Sequence, residues 1–213
     1  NAQDGQDGGN NYYRGDGWYR KVLDWNPDYA GKRIDIEFLG ACLQADVYVN
    51  GQFMGNHKGG YTAFRFDITD ALIPGQENII AVRVNNQQTQ DIAPLSGDFT
   101  VFGGIYREVS LVLTDSVHID TADYGSSGLY LTQTNVSEES ADLEIRSNIV
   151  NDGEEEKTVT VRATLRHPDA FEEIDTIPNP AFDPADMVGG GIVESYETQL
   201  TIPAGESAAF VHD

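Results

Sequence analysis

Carboxylates are the most abundant reactive side chains of this chain, which has 35 aspartates and glutamates against 13 lysines and arginines. Two carboxyl groups can divide an acid and base reaction, one protonating a leaving oxygen while the other attacks or activates water. With so many acids, such pairs also arise by chance, and their number identifies no site. Catalytic acids of barrel enzymes sit where strands lead into helices, and this sequence shows no alternation of strand and helix patterns. We therefore assign no catalytic residue.

Other groups that could bind a metal or act as a nucleophile are few. The four histidines are widely separated in the sequence: His57, His118, His167 and His212. They lack the spacing of metal ligands, and residues 4–9, which alternate acids and glycines, lack the remainder of a calcium loop. The motifs of nucleotide-binding loops, cysteine zinc sites and nucleophile elbows are absent from the sequence. We expect neither a metal site nor a cofactor.

The single cysteine, Cys42, gives no information about the redox compartment. It lies in an apolar stretch that resembles a strand, so we expect a small buried side chain rather than a reactive thiol. With one cysteine no internal disulfide can form.

The elements that must position any functional side chain are β-strands. Apolar and polar residues alternate in residues 34–38, 45–49 and 64–68, the pattern of antiparallel strands with one buried and one solvated face. Asn50-Gly51 suits a tight hairpin turn, because both residues tolerate positive φ. Further strands are expected at residues 18–23, 78–84 and 106–113, and no stretch keeps a helical period. The fold class is predicted to be all-β.

The pattern changes after Ser116, where longer strands begin: residues 117–123, 129–134, 141–150, 157–166 and 192–202. Two sandwiches of about 100 residues each fit the chain length. We predict two domains, residues 1–115 and residues 116–213. Residues 167–191, rich in Pro, Asp and Gly, would be a long loop or insertion. The final residues begin another strand, so we expect the second sandwich to be truncated at its C-terminus.

The formal net charge of −22 excludes some classes of partner. Such a surface repels the phosphates of nucleic acids and anionic membranes, and no apolar run approaches the ~20 residues of a membrane span. Neutral sugars are more compatible with it. The compartment is unknown, although the acidic surface and a first residue other than Met favour a periplasmic or secreted protein.

Several ordered motifs carry a resemblance to a known family. They are Gly17-Trp18-Tyr19-Arg20-Lys21, Val47 to Gly51, Gly55 to Phe64, Phe66 to Thr69, Ser96 to Phe99 and Phe102 to Val109. In this order they closely resemble the sugar-binding domain of family 2 glycoside hydrolases of the β-galactosidase type. The resemblance covers roughly residues 17–113. The family's usual first strand and its Pro-x-Asp-Trp stretch are not visible before Gly17, so we expect an incomplete N-terminal edge.

The resemblance implies a galactose-binding-like jelly-roll β-sandwich followed by an immunoglobulin-like β-sandwich. It also implies a substrate-binding role for Asp98, because the matching acid of related enzymes reaches from this domain to the sugar in the catalytic barrel. An Asp that caps a turn through its own backbone is the alternative. Gly59, Gly60, Gly103 and Gly104 are expected to permit close backbone approaches. Arg107 is expected to tie a loop to the sandwich.

Aromatic side chains could also contact sugar, because sugar rings place their apolar C–H faces on them. Tyr12, Tyr13, Trp18 and Trp25 cluster near the start of the chain. We expect Trp18 to pack in the core, because it opens a strand. Tyr12 and Tyr13 are freer to contact a ligand or the barrel.

The function implied by the resemblance is that of the non-catalytic N-terminal portion of a β-glycosidase. It would support a missing C-terminal catalytic barrel, contribute one wall of the sugar pocket and perform no turnover alone. The glycoside, whether galactoside, glucuronide or mannoside, stays open, and a homo-oligomer is a further expectation. The alternative is a free-standing carbohydrate-binding module with an immunoglobulin-like spacer. A cell-surface adhesion protein is another.

Overall fold

A computed structural model describes residues 13–93, 102–123, 125–166 and 192–212 of the chain. They form strands joined by turns, with two single-turn 3₁₀ helices at Pro27–Tyr29 and Thr69–Ala71. The prediction of an all-β fold is confirmed. Within these ranges no helix has the length and apolar character needed to cross a bilayer.

The chain divides into two compact units, Asn1–Gly128 and Leu129–Asp213. The sequence pattern placed the boundary between residues 115 and 116. Residues 4–9, Tyr12, Asp98, His167 and the expected long loop at 167–191 lie outside the described residues.

Ten strands belong to the first unit: β1 Asp16–Leu23, β2 Arg33–Phe38, β3 Ala41–Cys42, β4 Gln44–Val49, β5 Gln52–Lys58, β6 Phe64–Asp67, β7 Asn78–Asn85, β8 Gly104–Ile105, β9 Val109–Thr114 and β10 Val117–Ile119. One antiparallel sheet has the order β1-β7-β4-β5 and another the order β6-β2-β9, while β3 pairs with β8. Alternate residues of both larger sheets enter one shared core, so the two sheets form a β-sandwich. That core includes Ile36, Phe38, Val47, Phe64 and Val82, each at most 4% exposed.

The hairpin between β4 and β5 turns at Asn50 and Gly51, whose φ angles are 51° and 84°, as the sequence predicted. The Asn50 side chain then secures the turn. Its Nδ2 donates to the Ala71 carbonyl at 2.8 Å and to Asn78 Oδ1 at 2.7 Å. Asn78 is fully buried, and Oδ1 also accepts from the Ile73 backbone N–H at 2.7 Å. Buried amides stabilise a fold when their partners are supplied in this way.

The second unit contains five strands: β11 Leu129–Thr134, β12 Asp142–Asn151, β13 Lys157–Arg166, β14 Ile192–Ile202 and β15 Ser207–His212. Strand β12 pairs with β11 and β15, and β13 pairs with β14. The most deeply buried apolar side chains are Ile202 and Phe210. The buried Asn151 holds the end of β12, where Nδ2 donates to the carbonyls of Glu155 at 2.8 Å and Ile202 at 2.9 Å.

The prediction that Trp18 packs in the core is wrong, because its side chain is 61% exposed. Trp18 lies opposite Arg83 of β7, while Tyr19 lies opposite Val82. Since Val82 faces the core, the alternation of side chains places Trp18 on the outer face of the sheet. Trp25, by contrast, packs against the core and meets Tyr29 edge to face at 5.6 Å.

Candidate functional site

The candidate site is centred on Asp98. Asp98 itself lies outside the described residues, so the structure describes the frame on each side of residues 94–101. This frame consists of the chain after β7 and the chain around β8.

The chain before residue 94 is fixed to the sandwich at two points. Ile92 is 4% exposed and packs with Cys42 and Leu43. Lys58 Nζ donates to Asp91 Oδ2 at 2.9 Å, and this contact lowers the pKa of the Asp91 carboxyl. Burial raises the pKa of the Cys42 thiol, which favours the neutral form and agrees with a buried apolar role.

The chain after residue 101 is fixed by close backbone approaches at two glycines. A Cβ on Gly103 would lie 2.7 Å from Cβ of Asn86. Gly104 has φ of +97°, and a Cβ there would overlap the Tyr19 hydroxyl, which accepts from the Ile105 backbone N–H at 3.4 Å. The structure therefore confirms that Gly103 and Gly104 permit approaches closed to other residues.

Asn86 links this frame to the segment before β1. It is 6% exposed, its Oδ1 accepts from the Gly15 backbone N–H at 2.9 Å, and its Nδ2 donates to the Tyr13 carbonyl at 3.1 Å. The sequence reasoning missed this residue. Its position directly before a loop of Gln, Thr and Asp residues gave no signal of a buried role.

Tyr106 and Arg107 close the frame, and the predicted tie by Arg107 is confirmed. Arg107 Nη1 donates to the carbonyls of Leu39 at 3.2 Å and Tyr61 at 3.1 Å. The guanidinium also lies 5.3 Å from the centre of the Tyr106 ring. The Tyr106 hydroxyl donates to the Gly60 carbonyl. Three loops are thereby joined at one end of the sandwich.

His57 packs against neighbouring side chains at the edge of this frame. Its ring stacks on Phe64 with centroids 4.1 Å apart, and Nε2 lies 3.2 Å from the Thr62 hydroxyl. Burial lowers the pKa of His57, so the ring is neutral at neutral pH. Across the described ranges, no three side chains of His, Cys, Asp or Glu are grouped so that they could hold a metal ion.

Acids that meet in the first unit are joined by arginines. Arg83 Nε donates to Asp46 at 2.7 Å, and Arg83 Nη1 lies 3.3 Å from Asp16. Arg33 lies between Asp35 and Asp67 at 3.3 and 3.5 Å. Asp35 and Asp46 are buried, and each is paired with a guanidinium group, an arrangement that ties neighbouring strands together.

Each unit also contains a concavity. In the first unit, a groove of about 390 Å³ lies beside apolar side chains that include Phe38, Ile80 and Leu111. It offers few partners for sugar hydroxyls. In the second unit, a cavity of about 610 Å³ is bordered by Glu194 and Tyr196, and a hydrogen bond with Glu194 raises the pKa of Tyr196.

An aromatic strip on the outer face of the β1-β7-β4-β5 sheet was also missed by the sequence reasoning. It consists of Trp18, Tyr48 and Phe53, with ring centroids 5.9 Å apart for the first pair and 5.3 Å for the second. The three residues are far apart in sequence and meet only through strand pairing, so only the register could have indicated them.

Comparison with known proteins decides the family. The family described as "Glycosyl hydrolases family 2, sugar binding domain" matches residues 6–115, which is more than half of the chain. The chain belongs to glycoside hydrolase family 2. The resemblance on which the sequence analysis relied is thereby confirmed.

Relatives of this family 2 chain carry two enzyme names. A β-glucuronidase of Bacteroides fragilis is 44% identical over 164 residues, which are 76% of this chain and 24% of the relative. A β-galactosidase of Thermoanaerobacter pseudethanolicus is 39% identical over 149 residues, 65% of this chain and 20% of the relative. The crystal structure of a Bacteroides uniformis β-glucuronidase matches with a TM-score of 0.79 and 38% identity, covering 94% of this chain and 22% of the other. The family 2 chain thus spans about a quarter or less of these proteins.

Proposed function

We propose that this chain is the non-catalytic N-terminal portion of a β-glycosidase, and that it supports a catalytic barrel and forms one wall of the sugar pocket. Residues 1–115 would be a jelly-roll sugar-binding domain and residues 116–213 an immunoglobulin-like sandwich. The observation that carries the proposal is the family match over residues 6–115, together with the small share of each relative that the chain covers.

Asp98 is proposed as the residue that reaches the sugar. The chain before residue 94 is fixed to the sandwich by Ile92 and by the contact of Asp91 with Lys58, and the chain after residue 101 is fixed by Gly103 and Arg107. Fixing the chain on both sides limits the positions that Asp98 can reach. A carboxylate held there would accept hydrogen bonds from sugar hydroxyls, and this would orient the substrate without transferring a proton.

The proposed substrate is a β-linked galactoside or glucuronide. Relatives named β-glucuronidase and β-galactosidase match this chain at comparable identity, 44% and 39%. We propose that the choice between them lies outside these 213 residues, because relatives with both names match this portion of the chain.

Reading the gene beyond the codon for Asp213 tests the supporting role. An in-frame segment of roughly 250 residues with alternating strands and helices is expected, and its absence would contradict the proposal. The 213-residue chain alone should hydrolyse neither p-nitrophenyl β-galactoside nor p-nitrophenyl β-glucuronide. Turnover by the purified chain would equally contradict it.

The role of Asp98 is tested in the polypeptide that contains the barrel. Asp98→Asn should lower kcat/KM by about tenfold to a hundredfold, since hydrogen bonds to a charged group contribute roughly 1.5 to 3 kcal/mol. Asp91→Asn is the matched control, because Asp91 lies shortly before residue 94 in the chain and contacts Lys58. Equal losses in both variants would indicate a role in loop structure only.

A free-standing carbohydrate-binding module is the second candidate, and the exposed aromatic strip favours it. A module would bind a soluble oligosaccharide without any barrel. Calorimetric titration of the 213-residue chain separates the two functions together with the gene reading, because saturable binding combined with no downstream barrel is expected only of the module.

A further inference from the structure

The aromatic strip occupies one defined position on the outer face of the β1-β7-β4-β5 sheet. Tyr48 lies directly opposite Phe53 on one side and Ala81 on the other. Ala81 in turn lies opposite Arg20 of β1. Because Ala81 has only a methyl group, the Trp18 ring can extend across β7 and reach Tyr48. The strip therefore crosses all four strands of a rigid sheet.

The rings of the strip are available to a ligand. Trp18 is 61% and Phe53 53% exposed. Their planes are inclined to that of Tyr48 by 36° and 55°, so they form a twisted platform. Exposed apolar patches of this kind, bordered by polar residues, mark binding surfaces.

A row of hydrogen-bonding side chains follows one side of the strip. Arg83 joins Asp16 of β1 to Asp46 of β4, and Asn56 Nδ2 of β5 donates to the Ala45 carbonyl at 3.2 Å and also contacts Asp46. These contacts hold the polar groups in place. Asp46 is buried, whereas the side chains of Arg83 and Asp16 are 30% and 42% exposed and have further donor and acceptor positions toward solvent. A hydrogen bond with Asp46 raises the pKa of Arg83, so the guanidinium stays positively charged.

We propose that the aromatic strip binds a neutral oligosaccharide chain. Pyranose rings would lie with their C–H faces on Trp18, Tyr48 and Phe53, and their hydroxyls would reach Asp16 and Arg83. A pyranose is apolar on its faces and polar at its rim, and it therefore matches a narrow aromatic row with a polar row beside it. A protein partner fits this surface less well, because the central part of a protein interface is depleted of charged residues, whereas here an ion pair adjoins the rings.

The charge of the molecule selects a neutral ligand. The net charge of −22 repels polyanionic chains, and two acids, Asp16 and Asp46, border the strip itself. This inference concerns a surface that plays no part in the proposed role of Asp98, so the two can fail separately.

Affinity electrophoresis of the 213-residue chain tests the proposal, with galactomannan, xylan or β-1,3-1,4-glucan in the gel and polygalacturonate as the acidic comparison. At least one neutral polysaccharide should retard the chain. Trp18→Ala and Phe53→Ala should each weaken that binding about tenfold, as expected when a stacked aromatic ring is lost. Both side chains are largely exposed, so circular dichroism should show an unchanged fold.

Tyr61→Ala is the matched control, because its side chain is 53% exposed and lies outside the strip. It should bind as the wild type does. No retardation by any neutral polysaccharide, or equal binding by wild type and Trp18→Ala, would overturn the proposal. A wild-type dimer that becomes a monomer in Trp18→Ala by sedimentation, without sugar binding, would also overturn it and identify a protein interface.

Discussion

Substitution of Gly55 by alanine should destabilise the first unit through a collision with one side chain. An added Cβ would overlap the Phe66 ring, with Cδ1 only 2.5 Å away. Gly55 does not have a positive φ, so the backbone itself accepts alanine and the cost is steric. Overpacking of this kind costs about 1 to 3 kcal/mol. Phe66→Ala alone should cost about 2 to 3 kcal/mol, because the ring is only partly buried.

The double variant distinguishes a collision from general damage. With the Phe66 ring removed, the new methyl group at position 55 enters the vacated space, so Gly55→Ala/Phe66→Ala should be no less stable than Phe66→Ala alone. The expected coupling is about 2 kcal/mol in the favourable direction. Gly17→Ala is the control, since a Cβ there meets nothing closer than 3.7 Å.

Urea unfolding followed by tryptophan fluorescence measures these changes in stability in the first unit. Both tryptophans, Trp18 and Trp25, belong to the first unit, so the signal is insensitive to the second, and the midpoint at constant slope gives the free energy of unfolding. Additive effects within about 0.5 kcal/mol would refute the collision with Phe66. A large loss in Gly17→Ala would instead indicate that this sheet tolerates no alanine.

Two further predictions concern a histidine and a buried amide. The free energy of unfolding of the first unit should fall as pH drops from 7 to 5, because burial lowers the pKa of folded His57. The unfolded chain, with a histidine pKa of about 6.5, therefore takes up the proton first. The free energy of unfolding of His57→Gln should fall less over this range, and an identical fall would refute this assignment. Asn151→Asp should destabilise the second unit by about 3 kcal/mol or more in circular-dichroism melts, because a carboxylate would face the carbonyls of Glu155 and Ile202. The exposed control Gln133→Glu should change the stability of this unit little.

The sequence predicted those strands whose alternation directly reflects burial. Residues 34–38 and 45–49 alternate without interruption, and both match strands whose apolar members are at most 2% exposed. The expectation of a solvated opposite face is wrong at Asp35 and Asp46, which are buried and paired with Arg33 and Arg83. The Asn50-Gly51 turn was equally predictable, because the requirement for positive φ at two successive positions restricts the residue types. These are local signals that do not depend on the strand partner.

Trp18 could not be assigned in this way, because its neighbour Tyr19 is also aromatic and alternation does not decide which of them faces inward. Pairing with β7 decides it, since Tyr19 opposes Val82 and Trp18 opposes Arg83. The frame around Asp98 was only partly predictable for a similar reason. Arg107 and the glycines have distinctive chemistry, whereas the role of Asn86 follows from contacts with residues more than 70 positions away.

The aromatic strip depends on the core through a β-bulge between β4 and β5. The pairing shifts after Val47, which opposes Gly55, so that Tyr48 opposes Phe53 and Met54 is the extra residue. In an unbroken register Phe53 would oppose Val49 and face the core, because successive side chains point to opposite faces. The bulge instead lets Met54 pack against the core and places Phe53 beside Tyr48 on the outer face. The bulge that packs Met54 inside therefore also completes the strip. The geometry of the aromatic strip thus depends on the packing of the sandwich core.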